Sequence, residues 1–452
     1  KEEQRKEVDS KIIDPDSEEE GTFGEDFFDE GQEEMSDAWD DKAEAEPEVK
    51  TVDTLESRLQ ELLNEHGGLD NVYIEVPEVN LDSVIASTTE VHQEIENHWN
   101  YERDIWKENG LVVDYIFDEV DTAYIQFKRD AQKEVSYLVK EFECKKSANA
   151  YARSIVSKTG VLDLTSLHQY KFSEDLFKKI SVVPDGKNHG LVFVLDWSGS
   201  MQSVMQDTLK QLYNLMWFCK KVQIPFEVYA FTQEWNRRIM DYETREPLPS
   251  KIQRHYERKE GVFHIAEDFN LLNLFTSRVN LKTLEKHMLN MWRVATAFNG
   301  GRQYTWPERL VLSGTPLNEA LISLHQILPR FQKETGVEKV QCIILTDGEA
   351  NQIPYHVRIQ RHVDTLPYIG CRNLHPDRCF LRDRNLGKIY KFGSGWHHFT
   401  DTLLRNLKDK FPVINFIGIR VLQNRDARSF MRLYNEDLER DWKKHKSFTI
   451  TT

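Results

Sequence analysis

The sequence predicts an α/β protein built on a doubly wound, mostly parallel sheet, with a helical N-terminal region and a disordered acidic tail ahead of it. Three observations predict it. Leu191-Val192-Phe193-Val194-Leu195 is an unbroken apolar run, the pattern of a strand covered on both faces rather than one. Apolar residues at helical spacing follow at once, through Met205, Leu209, Leu212, Leu215, Met216 and Phe218. The alternation then repeats, and strands separated by helices form parallel sheets with helices on both faces.

Taken in order, residues 1–50 hold 21 acidic and 6 basic residues, a net charge of −15, with few aliphatic side chains. Such a segment cannot bury enough apolar area to offset its ordering entropy, so it reads as a disordered tail. Its Phe23, Phe27, Phe28 and Trp39 leave open a second use, docking onto a basic partner. Residues 51–120 read as a small mixed region of unassigned fold. It holds a helix pattern over 51–67, a strand-like piece over 72–76 and helical stretches around 95–106. Residues 121–187 form a helical lead-in, whose long pattern over 121–157 meets neither Gly nor Pro before Thr159-Gly160.

The main domain is expected over 188–452. After the first strand and helix come a strand over 226–231, helices over 281–297 and 316–328, and a strand over 340–346. A last strand spans 413–421, with a helix around 428–434. Two stretches, about 233–312 and 352–400, are long insertions, and long connections often carry function.

Composition narrows the function. Beyond the tail, the remaining 402 residues carry 54 acidic and 53 basic side chains, so no basic face is available for a nucleic acid. No window has the length and apolarity of a membrane span. The charged amino terminus lacks a signal-peptide pattern, and the five cysteines are odd in number and scattered. These features predict a reduced, cytoplasmic setting, with Cys219 and Cys342 as small buried hydrophobes.

The chemistry concentrates in three loops. Asp196 ends the first strand, and Ser198 and Ser200 follow it in a turn that contains Gly199. Thr315 lies in Ser313-Gly314-Thr315-Pro316, with Pro316 expected as the first residue of a helix. Asp347 ends another strand and is followed by Gly348. In an open parallel sheet, ligands gather beyond the carboxy ends of strands at the switch in topology. Asp196, Ser198, Ser200, Thr315 and Asp347 offer two carboxylates and three hydroxyls. An all-oxygen set of this kind suits a hard divalent cation, Mg²⁺ or Mn²⁺. With few fixed negative charges the ion stays electrophilic and keeps a position open for an acidic residue of another protein. Asp-x-Ser-Gly-Ser alone also has a second reading as a helix-capping turn; the three loops in this order favour the metal.

Asp-Trp-Ser-Gly-Ser-Met, Leu-Ser-Gly-Thr-Pro-Leu and Leu-Thr-Asp-Gly-Glu together resemble the metal-ion-dependent adhesion site of von Willebrand factor A (VWA) domains, which have a Rossmann-like fold. The stretch from Thr159-Gly160-Val161-Leu162-Asp163 to Leu167-His168, then Glu174-Asp175-Leu176-Phe177, resembles the lead-in of CobT-type VWA proteins, particularly those of tailed phages. An acidic tract ahead of the domain is also typical of that family. The resemblance covers about 157–351 well and the last strand loosely. It implies the five residues above as metal ligands and a MoxR/CobS-type AAA+ ATPase hexamer as partner. It further implies a non-catalytic adaptor role, as in the cobaltochelatase of cobalamin biosynthesis, within the host cytoplasm if the chain is phage-encoded.

Two other uses of the same residues stay open. A Mg²⁺-dependent hydrolase would need a general base, for which Glu349 is placed by position. An adhesion-type VWA protein would bind an extracellular ligand. The chain contains no Walker motif and no Gly-x-Ser-x-Gly nucleophile elbow. Finally, Cys371, His375 and Cys379, with His397 and His398 further on, raise the question of a zinc site at a spacing longer than structural zinc favours.

Overall fold

The computed structural model describes residues 71–110, 117–153, 155–157, 180–182, 188–299, 305–348, 350, 352–360, 366–393, 396–421 and 442. All belong to the unit Leu69–Thr452. The acidic tail, the helix pattern over 51–67, the lead-in motifs over 159–177 and the helix expected around 428–434 lie outside the described residues.

The chain is an α/β protein around one six-stranded, mostly parallel mixed sheet. Its strands are β1 (Ile85–Ala86), β2 (His189–Asp196), β3 (Phe226–Thr232), β4 (Asn270–Thr276), β5 (Lys339–Thr346) and β8 (Asn415–Arg420). A separate hairpin, β6 (Tyr355–Ile359) with β7 (Tyr368–Arg372), lies between the last two in sequence. In space the large sheet runs β8-β5-β2-β3-β4-β1. Strands β8, β5, β2 and β3 are mutually parallel; β4 runs antiparallel to β3, and β1 parallel to β4. After β4 the chain returns to the opposite side of β2 to form β5. The change in winding direction therefore falls between β2 and β5, where the carboxy ends of both strands face the same way.

The helices are α1 (Thr88–Glu108), α2 (Asp118–Arg153), α3 (Met205–Val222), α4 (Leu281–Asn299), α5 (Leu317–Thr335) and α6 (Trp396–Lys410). Strand alternation divides the buried side chains into two cores. Phe193 and Leu195 of β2 join Val228 and Ala230 of β3 under α1 to α4. Val192 and Val194 of the same strand point the other way, with Phe231, Cys342 and Ile344, under α5 and α6. A strand buried on both faces needs an apolar residue at every position, as the run at 191–195 has. Cys219 and Cys342 are buried free thiols, and burial pushes each up to about 12.

Most elements fall close to their expected places, and the departures have local causes. The long helix stops at Arg153, and Ile155–Ser157 is a strand. Its β-branched Ile155 and Val156 favour the extended chain. Pro316 is the cap of α5, at φ −79° and ψ 51°, so the helix begins one residue later than expected. The stretch 233–312 contains β4, which pairs antiparallel with β3, as well as the expected helix. The stretch 352–400 contributes the β6–β7 hairpin and a three-stranded sheet of Cys379–Asp383 with Val72–Ile74 and Lys388–Lys391. The region before the long helix also serves the sheet, because Ile85 and Ala86 pair with Leu271 and Leu272. Helix α1 then starts on a capping box: Glu90 N–H donates to Ser87 Oγ (3.3 Å) and Ser87 N–H to Glu90 Oε2 (2.8 Å). Among the described residues no helix is long and apolar enough to cross a membrane.

Two positions test this packing. A Cβ on Gly190 would lie 2.6 Å from Phe331 Cε1 and 3.0 Å from Val337 Cγ2, so α5 approaches β2 as closely as a hydrogen atom allows. Gly190→Ala should cost about 1–3 kcal/mol of unfolding free energy in urea titrations. Glu319, in the first turn of α5, is buried, and desolvation raises its carboxyl from the ordinary 4.5 to about 7. Below the unfolded value both states hold the proton and nothing is lost. As pH rises from 4.5 towards 7 the unfolded chain releases its proton first, so stability falls by on the order of 3 kcal/mol and then levels off. Glu319→Gln should therefore match the wild type near pH 4.5 and exceed it above pH 7, read as denaturation midpoints across that range.

Candidate metal centre

Strand β2 carries Asp196 to the switch in the sheet, where it is fully buried. Its Oδ2 accepts a hydrogen bond from Thr346 Oγ1, the last residue of β5, at 2.6 Å. Its Oδ1 is buried and has no hydrogen-bond partner among the described residues. Burial pushes the Asp196 carboxyl above the ordinary range, and the charge of Asp347 pushes it the same way. The Thr346 hydroxyl and the hydroxyl and amide of Ser198 oppose this without supplying Oδ1 with a well-formed bond. An unpaired buried acceptor costs about 1–3 kcal/mol, and more when charged, so this oxygen requires a further explanation.

The loop after β2 is held from both sides. Trp197 is fully buried, donates its indole N–H to the Leu310 carbonyl at 2.8 Å, and sets its ring edge-on to Phe298. It is therefore a core ring, not an exposed contact. Gly199 N–H donates to the Ser313 carbonyl at 2.9 Å, and Ser198 and Ser313 form a short parallel bridge. This bridge joins the Asp196 loop to the loop that reaches Thr315 two residues later. Gly314 fits because a Cβ there would stand 2.6 Å from Gln233 Oε1.

Hydroxyls link the rest. Ser198 Oγ lies 3.0 Å from Ser200 Oγ, and Ser200 Oγ donates to Asp347 Oδ1 at 2.8 Å. Asp196, Ser198, Ser200 and Asp347 thus form one cluster at the ends of two adjacent strands. Thr315 stands half-buried on the third loop, immediately before the cap of α5. Glu349, the base that hydrolysis would need, lies outside the described residues.

Three groups beyond the five candidate ligands complete the setting. Thr346 fixes Asp196, and it sits inside the Leu-Thr-Asp-Gly stretch, where its position beside Asp347 was the available signal. Ser313 Oγ donates to Glu234 Oε1 at 2.9 Å, and Glu234 is itself held by Arg238 at 2.9 Å. That chain depends on the fold bringing residue 234 beside residue 313, which no local pattern reveals.

The donors present fit a hard divalent cation. A cation would give Asp196 Oδ1 the partner it lacks and would offset the mutual repulsion of Asp196 and Asp347. Oxygen ligands of this kind, neutral and anionic mixed, are those Mg²⁺ and Mn²⁺ take. The zinc grouping raised by the sequence is not assembled. Cys379 is buried and accepts the His375 backbone N–H at 3.3 Å, whereas the His375 ring is exposed beside Asp377. Cys371 instead faces His356, because the β6–β7 register sets these two opposite each other. The side chains of His397 and His398 lie outside those described.

If the unpaired oxygen belongs to a cation, Thr346→Val should act twice. It should cost the metal-free protein about 1–3 kcal/mol by removing the donor to Asp196 Oδ2. It should also weaken Mg²⁺ about 10–100-fold, as loss of an outer-shell partner does. Thermal denaturation over a Mg²⁺ series separates the two effects, and a variant with unchanged Mg²⁺ dependence would exclude the cation. In comparisons with protein-family models and with curated proteins, no family model matches this chain and no curated protein matches it significantly.

Proposed function

We propose that the chain is a VWA-type adaptor. In this reading a Mg²⁺ ion at Asp196, Ser198, Ser200, Thr315 and Asp347 takes an acidic residue of another protein as its last ligand. The observation that carries the proposal is the fully buried Asp196 with an unpartnered Oδ1, facing a second carboxylate across two serine hydroxyls. A capping turn would leave no such oxygen, since its purpose is to satisfy polar groups. The mostly parallel sheet, with both acids at the carboxy ends of adjacent strands, is the setting in which such sites occur.

The choice of partner rests on the motif resemblance. A MoxR/CobS-type AAA+ hexamer would supply the energy, and this chain would couple it to a client. Cobalt insertion is one client chemistry that the resemblance implies; fold alone never assigns a reaction. The binding role needs only charge complementarity. An incoming carboxylate gains a charge-assisted contact with the ion and has nothing comparable to gain from the metal-free cluster, whose own acids repel it.

Association with a purified MoxR/CobS-type ATPase, measured by pull-down and calorimetry, should weaken by about 2–5 kcal/mol on chelation with EDTA and equally in Asp196→Ala. Mg²⁺ should restore the wild type but not the variant. Association indifferent to both treatments would sink the proposal.

A further inference from the structure

A second cluster of ligating side chains lies away from the oxygen centre. It is assembled by a small sheet within the two long insertions. Strands β6 and β7 pair antiparallel, and their register sets His356 opposite Cys371. Residues 261–264 add to the other edge of β6. Gly261 N–H donates to the His356 carbonyl (2.9 Å), His356 N–H to Val262 (2.8 Å) and His264 N–H to Pro354 (2.8 Å). Phe263 and Tyr355, bridged to each other, are buried in the core under α5 and α6. Side chains alternate along extended chain, so His264 and His356 share the opposite face.

On that face His264, His356 and Cys371 each present one ligand atom, all within 4.8 Å of one another. Cys371 Sγ lies 3.6 Å from His356 Nδ1. Tyr256 supports both rings from behind: its Oη is 2.6 Å from His356 Nε2 and 3.0 Å from His264 Nδ1, and it accepts the Ile265 N–H at 2.9 Å. Because His356 meets the tyrosine through Nε2, its Nδ1 is the nitrogen left facing the thiol. Imidazole oriented by a hydrogen bond through its other nitrogen is the usual arrangement around a bound metal.

We propose that His264, His356 and Cys371 hold a zinc ion, with Tyr256 as the outer-shell residue that orients both imidazoles. Nitrogen and sulfur donors without a carboxylate select zinc over Mg²⁺. Each imidazole would ligate through the ring nitrogen that does not face Tyr256, Nδ1 of His356 and Nε2 of His264. The Cys371 thiol gives its proton to solvent as the zinc–sulfur bond forms. Three protein ligands leave the fourth tetrahedral position for water or an outside ligand, and Cys371 lies on the exposed side of the cluster.

The test uses the full chain, stripped with EDTA and then held in excess Mg²⁺ so that the oxygen centre is saturated. Zinc is titrated against a competing chelator, and Co²⁺ is added separately as a spectroscopic substitute. The wild type and Asp196→Ala should each take one equivalent, and the cobalt form should show thiolate-to-metal charge transfer with tetrahedral d–d bands. Tyr256→Phe should bind about 10–100-fold more weakly, and Cys371→Ser and His264→Ala more weakly still. Cys371→Ser should leave metal-free stability in urea unchanged, since that side chain is exposed. Zinc affinity equal in Cys371→Ser and wild type, a cobalt spectrum without the sulfur band, or an equivalent lost only in Asp196→Ala would each overturn the assignment.

Discussion

The constraint on which the rest of this molecule depends is the cost of keeping a carboxylate at the dry end of a core strand. Asp196 closes β2 directly after the apolar run 191–195, and desolvation disfavours its charge. The protein could have relieved that cost with donors of its own. Among the described residues it supplies one well-formed bond, from Thr346 to Oδ2, and none to Oδ1. The surrounding loops are braced on both sides. Trp197 is anchored to Leu310, and the bridge from Ser198 to Ser313 ties the second loop to the first. Braced loops around an unsatisfied oxygen are what the proposed cation site would need, because donors already in place need little rearrangement on binding.

The sheet explains why the two acids meet. Asp196 and Asp347 are separated by most of a domain in sequence, yet β2 and β5 are parallel neighbours whose last residues stand side by side. Parallel pairing requires crossovers, and here the crossovers carry α3, α4 and α5 onto the two faces. The helices that bury the strands thus also bury Asp196. Core formation and the electrostatics of the centre are consequences of the same packing, so a disturbance at the α5 contact with Gly190 acts on the strand that ends in Asp196.

What could be read from the residues follows the range of the interactions. The central strands and most helices are local patterns, legible because period and length are encoded within each segment. The grouping of Asp196, Ser198, Ser200 and Asp347 was legible too, since each short loop carries its donors in one run. Strand β4 was hidden in what reads as an insertion, although residues 269–275, Phe-Asn-Leu-Leu-Asn-Leu-Phe, hold an apolar stripe. Its two asparagines break the unbroken run expected of a central strand. Asn270 and Asn273 instead donate to the Val84 carbonyl and to Glu227. The β6–β7 hairpin was hidden for a different reason. Its partner at 261–264 lies about ninety residues earlier, and pairing at that range depends on tertiary register, not composition. Sequence spacing consequently grouped Cys371 with His375 and Cys379, whereas register groups it with His264 and His356.

The two clusters differ in a way that bears on how one chain could use both. Around Asp196 the donors are oxygen, hydroxyl and carboxylate; around His356 they are nitrogen and sulfur. Divalent ions compete for any site in order of intrinsic affinity, so selectivity has to come from donor softness and from what the cell supplies. An oxygen set with two charges binds weakly enough to follow a millimolar ion and to exchange ligands, which suits conditional contact with a partner's carboxylate. A thiolate with two neutral imidazoles binds a scarce ion tightly enough to retain it, which suits a fixed element of the fold. Placed at opposite ends of that scale, the two centres need no barrier between them to remain chemically distinct.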